Sequence, residues 1–157
     1  MPSTLAPRCV RGGTPDDARS AGLSGSVTSF GVVQQVNPAA DFLGGLKCSP
    51  ATGATRLYVM ALNDGTGGIY AVSDEYLTAL GERYGLASRS CAAGPGAHEP
   101  WTSQSGEGLV ACMTLSGRQP WVYFSFGEGR YLAFATRNDS NYTALYEWWS
   151  QLKAFLP

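Results

Sequence analysis

Charge is scarce in this chain. Asp, Glu, Lys and Arg make up 15% of its residues, against roughly 25% in an average soluble domain. Gly, Ser, Thr, Asn and Gln must therefore cover much of the surface, a composition more typical of secreted modules than of cytosolic enzymes. Eleven basic against twelve acidic side chains give a net charge of -1. No basic run can track a phosphate backbone, so nucleic acid is not an expected partner. No stretch approaches the ~18 consecutive apolar residues of a membrane helix, so direct membrane insertion is not expected. The first twenty residues also lack the ~7-residue apolar centre of a signal peptide. Cys9 follows Ala6, Pro7 and Arg8, and the bulky Arg does not suit a lipoprotein cleavage site. Either Met1 is a true start and the protein is cytosolic, or the chain is a piece of something longer.

Histidine is nearly absent too. His98 stands alone, which excludes multi-histidine metal sites. The four cysteines form no C-x-x-C, so neither a zinc ribbon nor a thioredoxin-like motif is present. No phosphate loop ends in Gly-Lys-Ser/Thr, no protein-kinase catalytic motif occurs, and no cofactor is implied. Asn63-Asp64-Gly65-Thr66-Gly67 lacks the alternating ligands of a calcium loop and reads as a hairpin turn. The carboxylates, among them Asp74, Glu75, Glu99 and Asp139, sit mostly at turns and helix ends, where capping and solvation are their default roles.

What is present begins with Cys9, Cys48, Cys91 and Cys112, an even and widely spaced set. Two disulfides are the natural reading, with three pairings open, and free buried thiols are the bland one. Oxidised pairs would place the protein in an exporting, oxidising compartment.

With 157 residues, 44% of them hydrophobic, the chain has room for one core. Residues 1–29, rich in Gly, Ser, Pro and Thr, read as a flexible segment or linker. Residues 30–157 read as a single α+β domain. Its opening, Phe30 to Val36, suggests a short extended segment. Asn37-Pro38 then signals a short helix bearing Phe42, Leu43 and Leu46, limited to about two turns by Gly44 and Gly45. Thr55 to Leu62 reads as a strand, and Ile69 to Val72 as one that pairs back. Ser73 caps a helix opening on Asp74 and Glu75, with Tyr76, Leu77, Leu80 and Tyr84 at helical spacing up to Tyr84-Gly85.

Ala87 to Glu107 has neither period and reads as a long surface loop, the kind that is often functional. Gly108 to Thr114, Pro120 to Phe126 and Arg130 to Thr136 read as an antiparallel meander. Trp121, Tyr123 and Ser125 face one way in its middle strand, and Val122, Phe124 and Phe126 the other. A helix from Asp139 or Ser140 to about Phe155, striped with Tyr142, Leu145, Tyr146, Trp149, Leu152 and Phe155, covers at least one face. The expected fold is thus a mainly antiparallel sheet, the meander plus one or two N-terminal strands, packed against a mid-chain and a C-terminal helix.

Three side chains stand out as candidate ligand or partner contacts. Trp101 and His98 lie in the long loop, and Trp148 is one position off the buried stripe. Cys91 and His98 are the one conceivable thiol-enzyme pair, on a segment too loose to hold them in reach.

Six ordered segments carry a family resemblance: Gly-Leu-Lys-Cys-Ser-Pro around Cys48, Ser90-Cys91, Gly-Leu-Val-Ala-Cys-Met, Pro-Trp-Val-Tyr-Phe, Tyr-Leu-Ala-Phe-Ala-Thr-Arg and Leu-Tyr-Glu-Trp-Trp. The chain resembles, over residues 36–150 and most specifically 108–149, the C-terminal extracytoplasmic region of actinobacterial-type serine/threonine protein kinases. The resemblance implies a sensor-like module outside the membrane, with no phosphotransfer residues of its own. It also matches Cys48, Cys91 and Cys112 to cysteine-bearing positions, in an oxidising compartment. The chain departs from the pattern in having no kinase domain, membrane helix or signal peptide. The leading expectation is a non-catalytic extracytoplasmic or secreted sensor that binds a small molecule or protein. Its rivals are an assembly module using Trp101, Trp148 and strand edges, and a thiol-dependent enzyme.

Overall fold

The computed structural model describes residues 9–11, 42–48, 56–62, 73–115 and 118–157. In chain order these form β1 (Cys9–Arg11), β2 (Phe42–Cys48), β3 (Arg56–Leu62), α1 (Ser73–Arg83), β4 (Ala87–Ser88) and β5 (Ala97–Thr102). There follow β6 (Glu107–Leu115), β7 (Gln119–Phe126), β8 (Tyr131–Thr136) and α2 (Tyr142–Leu152). The strands make one sheet in the order β1-β2-β3-β8-β7-β6-β5-β4. Six longer strands form its body, with a short strand at each edge, and only β4 pairs in parallel. The fold is mixed α and β on a mostly antiparallel sheet.

The centre follows from the aromatic alternation of the meander. Trp121 and Tyr123 on β7 join Ala111 and Met113 on β6, Leu132 and Phe134 on β8, and Tyr58 on β3. Tyr76, Leu77, Ala79 and Leu80 of α1 close over them. Val122 and Phe124 point the other way, with Val110, Cys112, Ala133, Ala135 and Leu57. Leu145, Trp148, Trp149 and Leu152 of α2 close that second face. Residues with side chains on both faces must be covered twice, so the sheet lies between two helices. Each buried large apolar side chain contributes roughly 1.5–3 kcal/mol.

The start of α1 is fastened to the sheet. Ser125 Oγ donates to Asp74 Oδ1 and accepts from the Leu109 amide at 2.9 Å. The Ser73 amide donates to Gly129 O at 2.9 Å. Gly127, Glu128 and Gly129 all take left-handed φ values, which is why two glycines flank the tip of the β7–β8 turn. At the other end, the residues after α2 tuck under two loops: Ser105 Oγ donates to Ala154 O at 3.0 Å, and the Gly127 amide to Pro157 O at 3.0 Å.

Several expectations change. Residues 42–48 are strand β2, where a short helix was expected. Pairing with β1 and β3 on its two sides supplies hydrogen bonds that two glycines in a short helix could not. The segment read as a linker contributes β1, while the rest of it, Phe30 to Val36, Asn37-Pro38 and Ile69 to Val72 lie outside the described residues. The expected loop from Ala87 to Glu107 contains β4, a 3-10 turn at Cys91–Ala93, and β5. Pro100 hid β5 because a proline cannot donate within a ladder. It is tolerated here because β4 borders β5 only at Ala97 and His98, and Pro100 is exposed. The C-terminal helix starts after an Asn141 cap, whose Oδ1 accepts from the Ala144 amide at 3.0 Å. Phe155 leaves the stripe and is 46% exposed, since a 3-10 turn at Lys153–Phe155 rotates it outward.

Candidate functional site

Residues 89–96, whose Gly and Pro content read as looseness, form a pinned corner. Cys91 and Cys112 are joined by a disulfide with Cα atoms 6.0 Å apart, and both are fully buried. The Arg89 guanidinium donates to the carbonyls of Ser90 and Gly94 at 3.2 Å and of Pro95 at 2.8 Å. Its five fixed donors suit a loop that folds its carbonyls inward. Gly94 and Gly96 have φ of 133° and 89°, which a Cβ would oppose. The Gly96 amide donates to Cys112 O at 2.7 Å.

The same corner is held from α2. Tyr142 Oη donates to Cys91 O at 2.6 Å, and the Cys91 amide donates to Glu99 Oε1 at 3.2 Å. Burial raises the Tyr142 pKa, and the neighbouring Tyr146 and Glu99 push it further up. The phenol therefore keeps the proton that it donates.

On the α1 side of this corner lies a shallow recess of about 210 Å³, lined by Tyr84, Leu86, Pro95, Gly96, Met113 and Thr114. Three separate segments build it. The turn after α1 brings Tyr84 and Leu86, and the Leu86 amide closes it by donating to Gly81 O at 2.8 Å. The pinned corner brings Pro95 and Gly96, and β6 brings Met113 and Thr114. The Arg83 guanidinium stands 5.4 Å from the Tyr84 ring centroid. In the core behind, Tyr76 and Tyr123 have pKa values raised by burial, so both remain neutral hydroxyls at physiological pH. The recess offers an aromatic ring, a thioether, a hydroxyl and backbone. It is smaller than the ~300–1,000 Å³ of drug-sized sites, so it suits a fragment-sized, uncharged group or a single side chain.

The residues singled out in the sequence fall elsewhere. His98 lies on β5 beneath α1; a Cβ on Gly81 would stand 3.3 Å from its Cδ2. That approach is tight, so a larger residue here would have to push the imidazole back. Cys91 packs in the α2 cluster and is oxidised, so the Cys91 and His98 pair is not assembled.

Trp101 is 4% exposed, its Nε1 donating to Ser125 O at 3.0 Å and its ring edge-on to Trp149 at 5.7 Å. Trp148, also 4% exposed, is buried beside Trp149 because α2 sinks its flank as well as its stripe. Neither tryptophan is the surface contact expected of it. The alternation of Ala97, Glu99 and Trp101 was the available signal for the first. The recess had none, because its lining converges from three places in the chain. Arg89 likewise shows its role only once the carbonyls gather around it.

Cys9 and Cys48 occupy facing register positions on β1 and β2. Among the described residues no group of three or more His, Cys, Asp or Glu could hold a metal ion, and no helix is long and apolar enough to cross a membrane. Compared with protein-family profiles, characterised proteins and solved structures, the chain gives no match.

Proposed function

We propose that this chain is a non-catalytic extracytoplasmic sensor or ligand-binding domain, of the kind that its resemblance to the tails of membrane serine/threonine kinases implies. The observation that carries this reading is the buried Cys91–Cys112 disulfide. It pins the corner whose Pro95 and Gly96 line the recess, and structural disulfides persist in oxidising compartments. The low charge and the contact-type lining of the recess support the same reading. The recess would take a small uncharged molecule or one side chain of a partner protein.

The experiment has two parts. Protein from its native compartment is alkylated without reduction and analysed by mass spectrometry, with Cys91 and Cys112 expected to be protected. Free thiols at both positions would sink the exported reading. A fragment library is then screened by ligand-observed NMR against the parent and Tyr84→Ala, which removes the exposed aromatic wall of the recess. Binding lost in the variant supports the recess; binding unchanged moves the site elsewhere.

An assembly role would need surfaces other than those first expected. Trp101 and Trp148 are buried, and Pro100 sits on the outer stretch of β5, where proline discourages strand addition.

A further inference from the structure

The pairing of β1 with β2 places Cys9 opposite Cys48, Val10 opposite Lys47 and Arg11 opposite Leu46. Directly opposed residues of an antiparallel pair have Cα atoms about 4.5 or 5.5 Å apart, depending on hydrogen bonding, and belong to the same face of the sheet. Both separations fall inside the ~4.4–6.8 Å that a disulfide spans. Cys91 and Cys112 are already joined to each other. Of the three pairings that four cysteines allow, only one is compatible with that bond.

We propose that Cys9 and Cys48 form a second disulfide, a covalent staple at the β1 edge of the sheet. Two thiols lose two protons and two electrons as the S–S bond forms. The acceptor is another disulfide, either of a thiol–disulfide oxidoreductase or of oxidised glutathione, which is reduced to two thiols. A strand of three residues contributes few hydrogen bonds, and an edge strand has a neighbour on one side alone. The cross-link supplies what that short pairing lacks, holding β1 in register and tethering residues 10–47 at both ends. Each end of the sheet then carries a covalent tie, Cys9–Cys48 beside β1 and Cys91–Cys112 beside β4.

The chain's own cleavage sites make the test direct. Trypsin releases Cys9 in residues 9–11 and Cys48 in residues 48–56, while Cys91 and Cys112 share residues 90–118. The full chain is refolded with reduced and oxidised glutathione, alkylated, digested without reduction and mapped by mass. The expected species is the 9–11 peptide joined to the 48–56 peptide, about 2 Da below their summed mass, beside an internally bridged 90–118 peptide. Alkylated Cys9 and Cys48 with 90–118 bridged would overturn the proposal, as would either short peptide cross-linked to 90–118. In Cys9→Ser the joined species disappears, Cys48 takes one alkyl group, and trypsin cleaves faster after Arg11 while 90–118 stays bridged. Unchanged cleavage would remove the stapling role. Since the refolding is done in vitro, its outcome is separate from the exported reading, which stands or falls on Cys91 and Cys112 in native protein.

Discussion

Both faces of the sheet bury aromatic residues, but in different ways. Under α2 two aromatic residues place their polar atoms on backbone carbonyls, Trp101 Nε1 donating to Ser125 O and Tyr142 Oη to Cys91 O, and a disulfide runs through the layer. Under α1 lie Tyr58, Tyr76, Tyr123 and Trp121, and the buried Trp121 Nε1 makes no hydrogen bond. An unpaired buried donor costs about 1–3 kcal/mol. The α1 face is also where the recess opens, between the end of the helix and the pinned corner. The α2 face is thus cross-braced by hydrogen bonds and a disulfide, whereas the α1 face keeps an unsatisfied donor near a concavity.

Trp149→Ala should produce the largest effect, since its ring lies 4.4 Å from Phe124 and edge-on to Trp101. A loss of about 3–5 kcal/mol in urea unfolding is expected, and a loss below about 1 kcal/mol would deny the α2 face its bracing role. Replacing Cys91 and Cys112 by Ala together opens a loop of sequence separation 21 and should cost about 3 kcal/mol on the chain-entropy account. A sharper probe pairs Trp101→Phe with Trp121→Phe. Both lose the same ring volume, so the difference between them reads the N–H group. Trp121→Phe should be the milder change by about 1–3 kcal/mol, because it removes an unpaired donor and breaks no bond. Equal effects would erase the contrast between the faces.

Alkali should act on both faces. Tyr76, Tyr123 and Tyr142 have folded pKa values raised above about 10, the unfolded value, chiefly by burial. Their contribution to stability is complete below that pH and falls as pH rises past it, because the unfolded chain then binds fewer protons. Phenolate absorbance should rise together with loss of near-ultraviolet circular dichroism; ionisation of all the tyrosines in the folded state would contradict their burial. The smallest effect lies at the entrance to α2. Asp139 accepts from Arg137 Nε at 2.8 Å and Nη2 at 2.7 Å, and its pKa is lowered to about 2, first by that bond and next by the Asn141 amide. A depressed carboxyl pKa contributes stability above the ordinary value, lost as pH falls toward 2. Arg137→Ala should return the carboxyl toward 3.8 in an NMR titration.

Legibility in the sequence tracked regularity. The meander, the Ser73 helix and the C-terminal helix were readable because their apolar residues recur at one clean period on well-punctuated segments. Tyr76, Leu77 and Leu80 are buried as their spacing implies, and the two-way alternation of Trp121 to Phe126 holds residue by residue. Residues 42–48 and 97–102 misled because Gly44-Gly45 and Pro100 are local signals against the strands that pairing imposes. Trp148 misled because helical spacing marks the middle of a buried stripe better than its margins.

By itself the sequence determined the number of cysteines, the scarcity of charge and histidine, and the periodicities that set where the main helices and strands run. Those are local quantities, carried by composition and near neighbours. Tertiary structure alone decided that Cys91 bonds Cys112, that Cys9 faces Cys48, that Arg89 gathers the carbonyls of its loop, and that Tyr84, Pro95 and Met113 share one recess. Each depends on the packing and pairing of segments far apart in the chain, and no local pattern encodes that.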